Sequence, residues 1–234
     1  MKKPLLLLLG MAWCTAVWPQ SSCTSDGQPR ALTLVERFLS ADCVECWSTP
    51  PTDALPATAA RTLVLDWIVP GSQGDDAPLA AAATRDALLR LQALGQAAPA
   101  TTLTTQHAVA ARADIRVRVA QGLAIADYLG ARIELRAPGP KTGQPPWTAW
   151  LALVEHIPAG VEGTPIARNI VRNLFQPTWN MRRTLSKTER FNYTELRPMR
   201  FAEGARPERL RLIGWIADAQ GRVLGAAQTV CLRS

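Results

Sequence analysis

Cys43 and Cys46 are the residues of this chain best suited to reactive chemistry. They are separated by Val44 and Glu45 and follow the apolar run Leu34-Val-Glu-Arg-Phe-Leu-Ser40. A Cys-x-x-Cys behind a strand-like segment is the spacing of a thiol–disulfide redox pair. One sulfur enters a mixed disulfide and the other resolves it. That reading makes Cys43 the nucleophile and Cys46 the resolving thiol. Two further readings stay open. In one, Cys43–Cys46 is a structural disulfide in a non-catalytic binding or interaction module. In the other, the two thiolates join His107 or His156 around zinc or copper. Two local features bear on reactivity. Proline is tolerated only in the first turn of a helix, so Pro50 and Pro51 predict a helix beginning near Thr49, beyond both sulfurs. Asp42 and Glu45 flank the thiols, and negative neighbours disfavour a thiolate.

The elements that would position this pair alternate in type through the first half. Leu32 to Leu39 reads as a strand, the alanine-rich stretch from Pro51 to Arg61 as a helix, and Thr62 to Val69 as a second strand ended by Pro70-Gly71. Leu79 to Leu94 reads as a helix with leucines 88, 89, 91 and 94 on one face and Gly95 as its stop. Gly71-Ser-Gln-Gly-Asp-Asp76 lacks the lysine of a phosphate loop and the regular acidic spacing of a calcium loop. It reads as a helix-leading loop in which Asp75 or Asp76 caps the helix. Strand, helix, strand, helix begins an α/β sheet.

The second half changes period. Ile115-Arg-Val-Arg-Val119 and Arg132-Ile-Glu-Leu-Arg136 alternate, and Trp147 to Val154 is an apolar strand. Arg209 to Ile216 and Arg222 to Val230 flank Asp218-Ala-Gln-Gly221, a hairpin signal. Ile166 to Phe175 is open between helix and short strand. Alternation buries one face and wets the other, which predicts antiparallel, sandwich-like β structure. Trp147, Trp150, Trp179 and Trp215 read as core or interlayer packing rather than a ligand surface. No nucleophile elbow supports a Ser-His-Asp site.

The ends of the chain speak to compartment. Met1-Lys2-Lys3 and the apolar stretch from Pro4 to Trp18 form a secretory signal pattern, here assigned to residues 1–22 and too short for a membrane span of ~20 residues. Trp13 before Cys14, and Gln20-Ser21-Ser22 before Cys23, argue against lipoprotein anchoring. The expected location is periplasmic or secreted, with no transmembrane helix in the mature chain. Cys23, Cys43, Cys46 and Cys231 then remain, an even number in an exported chain. Local spacing pairs Cys43 with Cys46, and Cys23 with Cys231 becomes a structural disulfide between termini that often lie close together. The net charge of +7 is carried mostly by scattered arginines, without the basic block of a nucleic-acid arm. The expected partner is a protein or thiol substrate, not nucleic acid, and no cofactor is expected.

These residues also carry a resemblance. Leu34-Val-Glu-Arg-Phe-Leu-Ser40, Asp42-Cys-Val-Glu-Cys46 and Pro50-Pro-Thr-Asp53 resemble the strand and Cys-x-x-Cys segment of an uncharacterised secreted thioredoxin-like family of bacteria, domain-of-unknown-function family 1223. Glu162 to Leu174 and Gly221 to Gln228 are similar to its later stretches, so the resemblance runs from about residue 30 to 232. It implies a thioredoxin-like α/β domain over 30–110 followed by a β-rich, sandwich-like domain over 111–234. It also implies a substrate-docking role for Thr105, in Leu103-Thr-Thr-Gln106, at a position where the family carries proline. A cis bond there would cost ~3 kcal/mol without proline, so the resemblance implies that the cis peptide is lost.

Overall fold

The computed structural model describes residues 23–50, 61–110, 112–138, 147–179 and 189–231. The expected signal segment 1–22 and the expected helix from Pro51 to Arg61, apart from Arg61 itself, lie outside these residues.

Two runs of apolar and β-branched residues, β2 (Thr33–Ser40) and β3 (Thr62–Val69), pair in parallel with Thr33 opposite Thr62 and Ser40 opposite Val69. Between them lies α1 (Val44–Ser48). After β3 come α2 (Arg85–Ala93) and β4 (Thr102–Ala108), which runs antiparallel along the outer edge of β2. β7 (Thr148–Ile157), β8 (Arg168–Phe175), β10 (Leu210–Ala217) and β11 (Val223–Gln228) complete a seven-stranded sheet in the order β11-β10-β7-β8-β3-β2-β4. The other sheet has five strands in the order β12-β1-β5-β6-β9: β1 (Cys23–Thr24), β5 (Arg116–Ile125), β6 (Tyr128–Ala137), β9 (Phe191–Arg200) and β12 (Val230–Cys231).

The expected thioredoxin-like α/β domain is not what forms. The described residues are mostly β, 50% strand and 13% helix, in two sheets with two α-helices. The physical reason is where the core sits. Among the described residues, each apolar cluster that residues 30–110 join also contains later strands. β3 pairs with β8 in parallel, Asp66 beside Ile170, and one apolar cluster unites Phe38, Trp67 and Leu91 with Trp150, Val171 and Trp215. α2 covers that face of the sheet. Beyond β4, the amide of Ala110 donates to the carbonyl of Val223 in β11 at 2.9 Å, so the two edges of the seven-stranded sheet curl toward each other.

The five-stranded sheet packs on the opposite face through Val119, Leu129 and Ile133 against Leu151, Leu153 and Leu212. Gly214 allows this close approach, because a Cβ there would lie 2.6 Å from Val119 Cγ1. A buried polar link also joins the sheets. Gln121 Nε2 donates to the Leu210 carbonyl at 3.0 Å, and the Thr229 hydroxyl donates to Gln121 Oε1 at 2.7 Å.

Several elements depart from the sequence expectation. α2 is shorter than Leu79 to Leu94, because a 3-10 turn occupies Ala80–Ala82 and extended Thr84 caps the helix, its hydroxyl accepting the Asp86 amide at 3.0 Å. Asp75 and Asp76 lie instead in the 3-10 turn Gly74–Asp76. The buried face of α2 is Ala87, Arg90 and Leu91, while Leu88 and Leu89 are exposed. The open segment from Ile166 to Phe175 is a strand, held between β7 and β3. Trp150 and Trp215 stack in the core at 6.1 Å, and Trp179 stacks on Tyr193 at 5.3 Å.

Candidate functional site

Cys43 and Cys46 are joined in a disulfide at the end of β2. The helix begins earlier than Pro50 and Pro51 suggested. Cys43 is the N-cap of α1 and Cys46 lies within its first turn, so both sulfurs belong to the helix start. The Cys46 amide donates to Cys43 Sγ at 3.2 Å. An amide aimed at a sulfur stabilises negative charge that develops there. Both cysteines are partly exposed, but Cys46 also packs against the buried cluster around Leu39, Trp47 and Ile68. Cys43 is therefore the outer sulfur of the pair.

Beneath α1 is a buried charge cluster. Asp66 on β3 is fully buried and pairs with Arg37 on β2, Nε to Oδ1 at 2.7 Å and Nη2 to Oδ2 at 2.8 Å. Arg168, at the start of β8 and also buried, reaches Asp66 Oδ1 with Nη1 at 3.5 Å. Its Nη2 donates to the carbonyls of Cys46 and Trp47, each at 3.0 Å, and of Thr49 at 3.4 Å. These are carbonyls that a helix end leaves without an internal donor. One guanidinium thus satisfies the end of α1, and its Cζ lies 5.3 Å from the Trp47 ring centre. Burial pulls the Arg168 guanidinium below its ordinary value; Asp66 opposes this and Arg37 adds to it. Trp47 Nε1 donates to the Glu162 carbonyl at 2.7 Å, a second anchor for the helix.

The flanking acid Asp42 is tied down. Its carboxylate accepts from the Ser72 amide at 2.7 Å, the Ser72 hydroxyl at 2.9 Å and the Gln73 amide at 3.3 Å. Desolvation pushes this carboxyl up, but the Ser72 and Gln73 hydrogen bonds outweigh it and leave it below its ordinary value. Gly71 gives the loop room, since a Cβ there would collide with the Asp42 carboxylate. The Gly71-Ser72 loop therefore serves Asp42 rather than a ligand.

The other sequence candidates lie elsewhere. Thr105 is in the middle of β4, opposite Glu36, whereas the end of β2 that leads to Cys43 is level with Thr101. Four residues of strand make about 13 Å of separation along the sheet. No cis peptide occurs among the described residues. His107 is opposite Leu34, further along β4, with Nε2 3.3 Å from Glu36 Oε1. Glu36 is buried and also takes both forks of Arg90, at 2.8 and 2.6 Å. Burial pushes its carboxyl up, yet Arg90 and His107 outweigh this and hold it below its ordinary value. His156 Nδ1 lies 2.9 Å from Asn169 Oδ1. It sits next to Ile157, which faces α1, and strand alternation turns it to the opposite face. The structure therefore gathers neither histidine at the sulfurs, and the described residues contain no group of three or more His, Cys, Asp or Glu able to hold a metal ion.

Cys23 and Cys231 are bonded, opposite each other in the β1–β12 pair. The two disulfides are consistent with an oxidising, exported location, and no helix among the described residues is long and apolar enough to cross a membrane. Sequence reasoning missed Arg37, Asp66 and Arg168. For Arg37 and Asp66 the available signal was charge inside two apolar strand runs, Val35-Glu-Arg37-Phe38 and Leu65-Asp66-Trp67, because charges buried in strands require partners.

Comparison with known proteins adds little chemistry. No family model matches the chain, and no curated protein matches it. Its fold is similar to an X-ray crystal structure of an Agrobacterium tumefaciens protein solved as a structural genomics target. The two are 14% identical with a TM-score of 0.49, over 88% of this chain and 97% of that one.

Proposed function

We propose that this is an exported, periplasmic or secreted, thiol–disulfide exchange protein acting through Cys43 and Cys46. The observation that carries the reading is the setting of the bond: a partly exposed disulfide with its outer sulfur receiving an amide, on a helix that other groups already hold. A structural clip is useful where a segment lacks other anchors. α1 has Arg168 on its carbonyls, buried Trp47 with its bond to Glu162, and Asp42 locked to Ser72. Closing so short a loop stabilises by only about 2 kcal/mol in the chain-entropy description.

The exchange balances without a further reagent. A partner thiolate attacks Cys43 Sγ and Cys46 leaves as a thiolate, giving a mixed disulfide between partner and Cys43. A second partner thiolate attacks the partner sulfur of that bond and expels the Cys43 thiolate, toward which the Cys46 amide points. The partner dithiol is oxidised and the Cys43–Cys46 disulfide reduced, and the reverse sequence reduces a partner disulfide.

The test is the reduction potential of Cys43–Cys46 in the mature protein. It is equilibrated in graded glutathione buffers, trapped by alkylation and read by peptide mass. A midpoint above about −250 mV, in the range of exchange-active pairs, is expected. A bond still closed below about −300 mV would be a structural clip and would end this reading.

A further inference from the structure

A cleft of about 640 Å³ opens at the opposite end of the seven-stranded sheet from the disulfide, where β2 and β3 begin. That volume is in the range of small-molecule sites, ~300–1,000 Å³. Its floor is formed where the curled sheet brings Leu32, Val109 and Ala110 toward β11. The Val109 amide donates to the Leu32 carbonyl at 2.8 Å, and Ala110 to Val223. The lining is mixed: Leu63, Val109, Ile115, Val117 and Leu224 supply its apolar part, and Gln28, Thr62, Gln228 and several arginines its polar part.

Two guanidiniums in this cleft, those of Arg30 and Arg61, hold backbone carbonyls. Arg30 Nη1 donates to the Arg112 carbonyl at 3.1 Å, and Arg61 Nε donates to the Arg30 carbonyl at 2.8 Å. Those bonds orient both side chains, and among the described residues neither is paired with a carboxylate. Their neighbours differ: Arg112 is paired with Asp114, and Arg118 with Asp26 and Glu134. Both Arg30 and Arg61 keep N–H donors in a planar fork suited to a carboxylate or phosphate. His156 also lines the cleft. Asn169 donates through Nδ2 to the Val64 carbonyl, so its Oδ1 accepts from His156 Nδ1–H and Nε2 is left as the polar atom for a ligand.

We propose that this cleft binds a small amphiphilic anion, with its carboxylate or phosphate on Arg30 and Arg61 and its apolar body along Leu63, Val109 and Leu224. The leucine and valine part of the lining suits a short hydrocarbon body, and two arginines without a carboxylate partner among the described residues suit an anionic head. This site is independent of the cysteine chemistry.

The experiment uses the mature protein with both disulfides intact. Decanoate, decyl phosphate and decanol are titrated by calorimetry below their aggregation limits, with backbone amide shifts recorded alongside. Saturable one-to-one binding of at least one of the two anions is expected, at least tenfold tighter than decanol, with amide shifts concentrated at Leu32, Leu63 and Ala226. The ratio of the two anions tells which head group the forks prefer. Arg30→Gln combined with Arg61→Gln should weaken the preferred anion at least tenfold. Arg132→Gln, outside the cleft, should not. Because Arg61 also holds a backbone carbonyl, Leu63→Trp provides a second variant that fills the cavity without removing a charge, and it should also abolish binding. Failure of both anions to saturate, equal affinity for decanol, or shifts centred on the exposed Leu123, Ile125 and Leu196 would overturn the proposal.

Discussion

At the residue scale, Arg168 carries more of the site than either cysteine's neighbours. One buried guanidinium serves three carbonyls of the α1 segment and contacts Asp66, which already has Arg37 and the Asn169 amide at 2.7 Å. Arg168→Met would keep the bulk and remove the donors. Asp66 would keep a cation, but the carbonyls of Cys46, Trp47 and Thr49 would lose theirs. A buried polar group without its partner costs about 1–3 kcal/mol, so a loss of about 3 kcal/mol in urea unfolding is expected. The variant should also erase the difference between the two sulfurs. After mild reduction of the native protein, Cys43 should alkylate faster than Cys46, which packs on the core. In Arg168→Met the two rates should converge. Unchanged stability together with unchanged selectivity would show that α1 does not depend on Arg168.

At the element scale, α2 is tied to the sheet by an acid in its first turn. Asp86 accepts the Leu174 amide of β8 at 2.8 Å. Burial pushes the Asp86 carboxyl above its ordinary value, only partly offset by that amide. The folded protein therefore takes up this proton more readily than the unfolded chain does. The resulting stabilisation is full below the ordinary value of 3.8 and is lost as pH rises through the folded value. Asp86→Asn keeps an acceptor for Leu174 and removes the charge. It should be slightly more stable than the native protein at pH 7, and the gain should disappear below pH 3.8, as read from denaturant midpoints across pH. A variant less stable at pH 7 would show that the charge itself holds the helix. The same element shows what sequence can and cannot reveal. β2, β3, β7 and the β10–β11 hairpin were legible because apolar run or alternation coincided with turn residues. α2 was over-read, because its leucines fit a helix while Thr84, five residues after Leu79, sets the true start. β4 was missed because its residues Thr102-Leu-Thr-Thr-Gln-His-Ala108 are polar, as an edge strand allows. The architecture was misread for a different reason. It depends on β3 meeting β8 about a hundred residues later, and neither strand's own pattern specifies that partner. For the site, the cysteine pairing was legible by counting, whereas Arg168 was not, since nothing local distinguishes it from the scattered surface arginines.

At the scale of the whole molecule, the two disulfides close loops of very different length. β1 and β12 have two residues each, too few to hold by backbone pairing alone, and Cys23–Cys231 joins them across a sequence separation of 208. In the chain-entropy description, closing a loop of that size stabilises by about 5 kcal/mol, against about 2 kcal/mol for the short Cys43–Cys46 loop. This closure fastens both ends of the described chain to β5, which in turn packs through Val119 on the seven-stranded sheet. Replacing Cys23 and Cys231 together by serine should lower the guanidinium unfolding free energy by several kcal/mol and release β1 and β12. Replacing Cys43 and Cys46 together should cost about 2 kcal/mol or less and leave both sheets intact by circular dichroism. The opposite order would mean that the Cys-x-x-Cys bond is what holds the end of β2 in place, and a bond needed for folding is poorly suited to repeated opening by a partner. With the expected order, the proposed exchange would leave the fold intact, because the disulfide it opens is the one the core does not depend on.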